Sequence, residues 1–193
     1  MRPRLIIGLL GQKGAGKGLL VKTVSKLLPQ HRVAALRFSD PLREIVSILG
    51  KEESRENLQA LGTALRNAFG EEGVLNSALR VRLEKLDADI VFFDGIRKQK
   101  EAEFIKELGG ILIFIDASEE LRFKRRCLNA ENADEEGMTR EQFQKQELAP
   151  TETTIRTIAN TMADTVIINN GTIEELEEKA KLLLNTHIHP KLA

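Results

Sequence analysis

A glycine-rich segment near the start of the chain carries its most specific chemistry. Gly11-Gln12-Lys13-Gly14-Ala15-Gly16-Lys17 follows the apolar run Leu5–Leu10 and leads into a stretch of helical pattern, so a strand, a tight loop and a helix succeed one another. Gly11, Gly14 and Gly16 let the backbone turn sharply with its N–H groups pointing inward, and the helix beginning near Lys17 turns its positive dipole end toward the same space. Lys17 adds a point charge. A Gly-x-x-x-x-Gly-Lys loop in that context is a phosphate cradle, and it implies that residues 11–19 bind a nucleoside triphosphate, with ATP the expected one.

The position after Lys17 is Gly18 and the next is Leu19, where such loops place a Ser or Thr hydroxyl on Mg²⁺. The metal is then expected to be held through water and carboxylates. Ile90-Val-Phe-Phe-Asp94 supplies a candidate, an apolar strand ending in an acid that would lie beside the loop and orient metal-bound water. Asp94 can equally cap the helix that follows, and the two roles can coexist. Asp116 also ends a strand, but Asp116-Ala-Ser-Glu reads as a helix start, so capping is the expectation there.

Phosphoryl transfer asks a protein mainly to align two anionic groups and neutralise their charge, so arginines from several loops should converge on one cleft. Arg43, Arg66, Arg97, Arg122 and Arg126 are the candidates. Arg43 and Arg97 each sit just after a strand's carboxyl end, where open α/β sheets bind ligands. Arg122 and Arg126 share a helix face, and they either meet nucleotide together or form a solvated face paired with Glu119 or Glu120. Asp40 could deprotonate an acceptor hydroxyl, fix Arg43, or cap a helix in which Pro41 takes a first-turn position. Glu101 and Glu103 read as a solvated helix face or as partners for Arg97. Arg140 and Lys145 could close over ATP as part of a lid, although Glu131, Asp134, Glu135 and Glu136 beside them suit an ordinary solvated loop.

Lysine plus arginine equals aspartate plus glutamate at 29 each, so no basic field argues for nucleic acid, and no apolar run approaches a membrane span. A small-molecule partner is expected, with the chain acting as a monomer or homodimer. The lone Cys127, read as packing, and the lack of a leader-like start suit a cytoplasmic setting. At 193 residues with 41% hydrophobic content, a single domain is expected.

Apolar runs at Leu5–Leu10, Val33–Phe38, Ile90–Phe93, Ile111–Ile115 and Val166–Ile168 alternate with helical stretches at about 17–28, 41–49, 55–69, 74–87, 98–108, 118–128, 151–161 and 173–185. That alternation predicts a parallel sheet covered by helices. Residues 40–87 hold more helix than one crossover needs and should form an acceptor-side lobe. Residues 129–150 are polar and read as a lid or an exposed excursion, Gly62 and Gly70 as helix terminators or as points where the acceptor-side helices approach a base closely, and the stretch from His187 as a frayed tail.

These motifs together resemble the nucleoside monophosphate kinase group of P-loop phosphotransferases. Gly-Lys-Gly at 16–18 is similar to adenylate kinases, and Asp40-Pro-Leu-Arg43 to their Asp-x-x-Arg, whose arginine grips the acceptor phosphate. Phe38-Ser39-Asp40-Pro41-Leu42 and Leu58-Gln-Ala-Leu-Gly-Thr63-Ala-Leu-Arg66 look like deoxynucleoside monophosphate kinases. Asp94-Gly-Ile-Arg97 is similar to adenylate kinases and to a dephospho-CoA-kinase-like group. Arg122 to Arg126, and Ala163-Asp to Asn169, match the lid-leading helix and the ending of such enzymes. The resemblance implies an α/β three-layer P-loop fold with a five-stranded parallel sheet in the order 2-3-1-4-5. It implies transfer from ATP, with Mg²⁺ held through water by Asp94, to a nucleoside or deoxynucleoside monophosphate. Lys17, Asp40, Arg97 and Arg126 would then be catalytic, residues 11–19 with Arg122 and Arg126 would hold ATP, and Ser39, Asp40, Arg43, Thr63, Arg66, Asp94 and Arg97 would hold the acceptor. Two other functions stay open: a dephospho-CoA kinase-like enzyme, and a nucleotide-binding regulator without efficient transfer.

Overall fold

The computed structural model describes residues 3–70, 74–128 and 137–192. Five parallel strands form one sheet in the order β2-β3-β1-β4-β5. They are β1 (Leu5–Leu10), β2 (Val33–Arg37), β3 (Ile90–Asp94), β4 (Ile111–Asp116) and β5 (Thr165–Ile168). Every residue of β1 is buried, as is expected of a central strand covered on both faces, which is why its sequence is a continuous apolar run instead of an alternating one.

The side-chain period of two divides the core into two layers. Leu5, Ile7, Leu9, Phe92, Ile113 and Ile115 face α1 (Lys17–Leu27) and α9 (Ile173–Leu183). Ile6, Leu10, Val91, Phe93, Leu112 and Phe114 face α4 (Val74–Lys85), α5 (Gln99–Glu107) and α8 (Pro150–Met162). Gly8 lies on the second face, where a Cβ would come within 2.6 Å of the Leu112 side chain and 2.7 Å of Ile96, so any larger residue there makes those side chains shift.

Between β2 and β3 the chain runs through α2 (Asp40–Ile48), α3 (Arg55–Phe69) and α4. Gly62 does not terminate a helix. It lies within α3 and faces the Leu42 side chain of α2, so it permits close approach, whereas Gly70 caps α3 with φ 87°. After β4, α6 (Glu119–Leu128) precedes residues 129–136, so Glu131, Asp134, Glu135 and Glu136 lie outside the described residues.

Part of the expected loop is instead helix α7 (Arg140–Glu147), started by Thr139, whose hydroxyl accepts from Gln142 N while the Gln142 side chain accepts from Thr139 N. Its one apolar anchor, Phe143, is fully buried. The tail is not frayed either: a π-type turn, Leu184–Ile188, and a last turn, His189–Leu192 (α10), place Leu184, Ile188 and Leu192 in the first core layer. Cys127 is exposed and not a packing residue. Among the described residues, no helix is long and apolar enough to cross a membrane.

Candidate active site

The loop after β1 is held from three sides. Gly11, Gly14 and Gly16 have φ of 152°, 79° and 104°. A Cβ on Gly11 would meet the Ile115 carbonyl of β4 at 2.6 Å, one on Gly14 the Arg122 carbonyl of α6 at 2.6 Å, and one on Gly16 the Asn169 amide. Asn169, buried just after β5, donates from Nδ2 to the Ala15 carbonyl at 2.8 Å, and Arg125 donates to the Asn169 carbonyl at 3.0 Å. Lys13 is half-buried on the loop, and Leu19 is partly exposed beyond it.

Lys17 opens α1. Its Nζ donates to the Gly11 carbonyl at 2.8 Å and lies 3.7 Å from Asp94 Oδ1. Asp94 ends β3 and accepts from Gly95 N at 2.6 Å through the same oxygen. The lysine and the carboxylate therefore face each other across the carboxyl edge of neighbouring strands β1 and β3.

Mg²⁺ is commonly held by one or two carboxylates, water and substrate phosphates, and Asp94 fits that role. Among the described residues no group of three or more acidic, His or Cys side chains gathers into a metal cluster. Gly18 adds no ligand, although it has room for one: a Cβ there meets nothing within 4 Å, and its φ is ordinary.

The acceptor-side candidates separate. Asp40 does not fix Arg43. Its Oδ2 accepts from Arg37 N at 2.7 Å and lies 3.8 Å from Arg82 of α4, while Arg43 donates to Glu53 at 2.9 Å. Arg82 also pairs with Glu44. Asp40, Arg43, Glu44, Ser47, Ile48, Glu53 and Arg82 line an open groove of about 400 Å³. Ser39 precedes α2 at its N-cap without a side-chain capping bond. Thr63 and Arg66 lie one turn apart on α3, joined at 3.4 Å, and are not among the lining residues.

Arg97 takes neither expected partner through its side chain, pairing instead with Glu152 of α8, which is buried and has one oxygen, Oε2, without a hydrogen-bond partner. Glu101 is not a solvated face. It accepts the N–H groups of Arg97 and Lys98 at 2.8 and 3.1 Å, and burial raises its carboxyl above the usual range against the pull of those two bonds. Glu103 pairs with Lys100.

Arg122 and Arg126 are both buried and turn inward. Arg122 donates from Nε to the Ala117 carbonyl at 3.1 Å and meets Glu147 of α7 at 2.5 Å. Glu147 also accepts from Gln12 Nε2 at 2.9 Å, so one carboxylate ties the phosphate loop to α6 and α7. Arg126 donates to Gln146 at 2.8 Å, and both guanidiniums lie over the Phe143 ring. Asp116 does not cap a helix with its side chain; it grips Arg156 of α8 at 2.9 and 3.2 Å. Arg140 lies 3.6 Å from Glu119. Among the charged residues here that sequence reasoning did not single out are Arg82, Glu147, Glu152 and Arg156.

The strand order, the glycine loop with Lys17 and the facing Asp94 define a three-layer α/β P-loop fold. Solved structures with that likeness are shikimate kinase from Bacteroides thetaiotaomicron and shikimate kinase from Acinetobacter baumannii in complex with shikimate. Their TM-scores are 0.59 and 0.52 at 18% identity; the matches cover 94% and 98% of this chain and 98% and 96% of theirs. A UPF0200 protein of Sulfurisphaera tokodaii is 32% identical over 181 residues, 93% of this chain and 95% of that protein. A UPF0200 protein of Hyperthermus butylicus is 28% identical over 183 residues, 94% of each. The chain belongs to this UPF0200 group. No family model matches it.

Proposed function

We infer that this protein is an ATP-dependent phosphotransferase whose acceptor is a small nucleotide-like molecule, a nucleoside or deoxynucleoside monophosphate. The observation that carries the reading is the Lys17–Asp94 opposition at the carboxyl edge, beneath the glycine loop. When bound, ATP with Mg²⁺ would supply the phosphoryl group and part of the charge neutralisation. Lys17 and the N–H groups of residues 11–18 would hold the phosphates, and Asp94 would keep metal-bound water in place. Arg97, set just after β3, and Arg126, on α6, would neutralise the charge that develops in transfer.

Asp40 supports a second reading. A carboxylate on the groove wall suits an acceptor that reacts through a hydroxyl, as in a dephospho-CoA kinase-like enzyme, because that oxygen must lose a proton, whereas a phosphate acceptor is already ionised. The absent loop hydroxyl at Gly18 and Leu19 supports the third, a nucleotide-binding regulator.

ADP release from ATP and Mg²⁺ against ribo- and deoxynucleoside monophosphates and dephospho-CoA separates the three. Acceptor-stimulated turnover that disappears in Lys17→Ala establishes a kinase. Asp40→Asn spares turnover on a monophosphate more than turnover on a hydroxyl acceptor, and equal and complete loss on a phosphate acceptor sinks that distinction. ATP binding without any acceptor response selects the regulator.

A further inference from the structure

We propose that Glu147 is a positioning residue of the nucleotide site: through the Gln12 side chain it holds the phosphate loop in its binding shape before nucleotide arrives, and α7 is a fixed support of that loop instead of a moving cover. This deepens the phosphotransferase reading and rests on it for the nucleotide alone.

Gln12 is the second residue of the loop, and it is engaged at both ends. Its carbonyl accepts from Ala15 N at 3.2 Å and from Lys17 Nζ at 3.3 Å, so the turn over residues 12–15 and the resting place of the lysine both depend on it. Its side chain runs the other way and donates from Nε2 to Glu147 Oε2 at 2.9 Å. A displaced Glu147 would therefore carry with it the residue against which Lys17 rests.

Glu147 is itself held. The same oxygen meets Arg122 Nη1 at 2.5 Å, and Arg122 donates from Nε to the Ala117 carbonyl. The Glu147 and Arg122 side chains are 12% and 4% exposed, so water screens the pair little. One turn earlier on α7, the buried Phe143 packs edge-to-face on Phe123 of α6, with ring centroids 5.3 Å apart, under the Arg122 and Arg126 guanidiniums. Beyond Glu147 the chain turns into α8, where Glu152 pairs with Arg97 and Arg156 with Asp116. The contact with Gln12 thus has fastenings on either side, to α6 and to residues that follow β3 and end β4. A cover would have to break a buried ion pair and expose Phe143 each time it opened, which suits a support better than a gate.

The loop side shows what the contact is for. Gln12 is 7% exposed, and its Oε1 is buried without a hydrogen-bond partner. The gain from a bond to a carboxylate and the penalty of a stranded amide oxygen are similar in size and opposite in sign. A methionine of the same length should then leave the stability of the fold nearly unchanged. What it removes is the tether, and a loop without its tether has to be ordered at the expense of binding.

Calorimetric titration of the full chain with ATP and Mg²⁺, thermal melts and amide hydrogen exchange test this in Gln12→Met, Glu147→Asp and the double variant. Glu147→Asp keeps the charge beside Arg122 and withdraws the carboxylate from Gln12 by one methylene. Gln12→Met weakens ATP binding about 3- to 10-fold. Its Tm moves by less than about 3 °C. Glu147→Asp weakens binding to a similar degree, and the double variant stays within about twofold of the weaker single one, because both cut the same tether. Without nucleotide, amides of residues 11–18 exchange faster in the variants than in the wild type, while α7 exchanges at the same rate with and without ATP. Gln12→Met alone decides should Glu147→Asp not fold.

Wild-type ATP affinity in Gln12→Met, weakening that adds in full in the double variant, or α7 amides that slow when ATP binds overturns the proposal. A Gln12→Met chain that unfolds, or loses Tm in step with affinity, makes the glutamine merely structural and overturns it too. Phosphoryl transfer measured alongside separates this from the reading beneath it. ATP binding that depends on Gln12, without transfer to any acceptor, sinks the transferase and leaves the support. Transfer with undiminished ATP affinity in Gln12→Met sinks the support and leaves the transferase, and a wild type that binds no ATP sinks both.

Discussion

Gly18 offers a substitution whose outcome can be worked out from local geometry. It is the second residue of α1, its φ is ordinary, and a Cβ built on it meets nothing within 4 Å, so the fold itself does not require glycine. Replacing a glycine by alanine at such a position stabilises by about 0.4–1 kcal/mol, mainly by restricting the unfolded chain. For a chain of this length 1 kcal/mol corresponds to roughly 2–4 °C in Tm, so Gly18→Ala should raise Tm by about 1–4 °C. Gly18→Ser carries the same Cβ and adds the hydroxyl that the loop lacks. It should strengthen the Mg²⁺-dependent part of ATP binding about 3- to 10-fold over Gly18→Ala, the value of one added neutral ligand contact. Thermal melts and ATP titrations with Mg²⁺ or with chelator measure both quantities. A lower Tm in Gly18→Ala refutes the steric reasoning, and a serine variant indistinguishable from alanine with Mg²⁺ refutes the idea that the missing hydroxyl limits metal binding.

Glu152→Ala strands Arg97 and should destabilise by about 2 kcal/mol in urea unfolding, the value of one charged hydrogen bond with a partly exposed guanidinium. Glu152→Gln, which keeps the shape, should recover most of that loss. Asn169→Ala removes the bond to the Ala15 carbonyl and leaves a buried acceptor, so stability should fall by about 1–3 kcal/mol and ATP affinity should fall with it, read by melts and nucleotide titration. Glu101 has a raised carboxyl pKa, so the folded state binds its proton more readily than the unfolded state does. Its contribution to stability is present below the unfolded value and is lost as pH rises through the folded one. Melts of wild type and Glu101→Gln across acid to neutral pH should show that component in the wild type alone.

The inner strands β1, β3 and β4 were legible because they are buried on both faces and therefore spelled as unbroken apolar runs, and the phosphate loop because glycine spacing and a lysine carry the whole geometry. What escaped was held by few apolar residues or by distant partners. α7 shows a single buried aromatic, Phe143, in a polar stretch, and its start depends on the Thr139–Gln142 reciprocal cap. The tail looks frayed because His187, His189 and Pro190 hide the spacing of Leu184, Ile188 and Leu192. Arg82 sits in Arg-Val-Arg-Leu-Glu-Lys, which reads as a solvated helix face, and only packing α4 against α2 brings it to Asp40. Arg97 was expected beside Glu101, its neighbour one helical turn on, but a carboxylate 55 residues away took the guanidinium.

The burial of Leu184, Ile188 and Leu192 against the sheet also has a temporal side. A chain is made from its amino end, so the phosphate loop emerges long before Leu184, Ile188 and Leu192, which complete the layer that supports β1 from behind. Until β5, α9 and the closing turns have been made and are free to pack, Asn169 is missing from behind Ala15 and one face of the central strand lacks its cover. A chain stalled before residue 165 would therefore present that bare apolar face to chaperones instead of a nucleotide site.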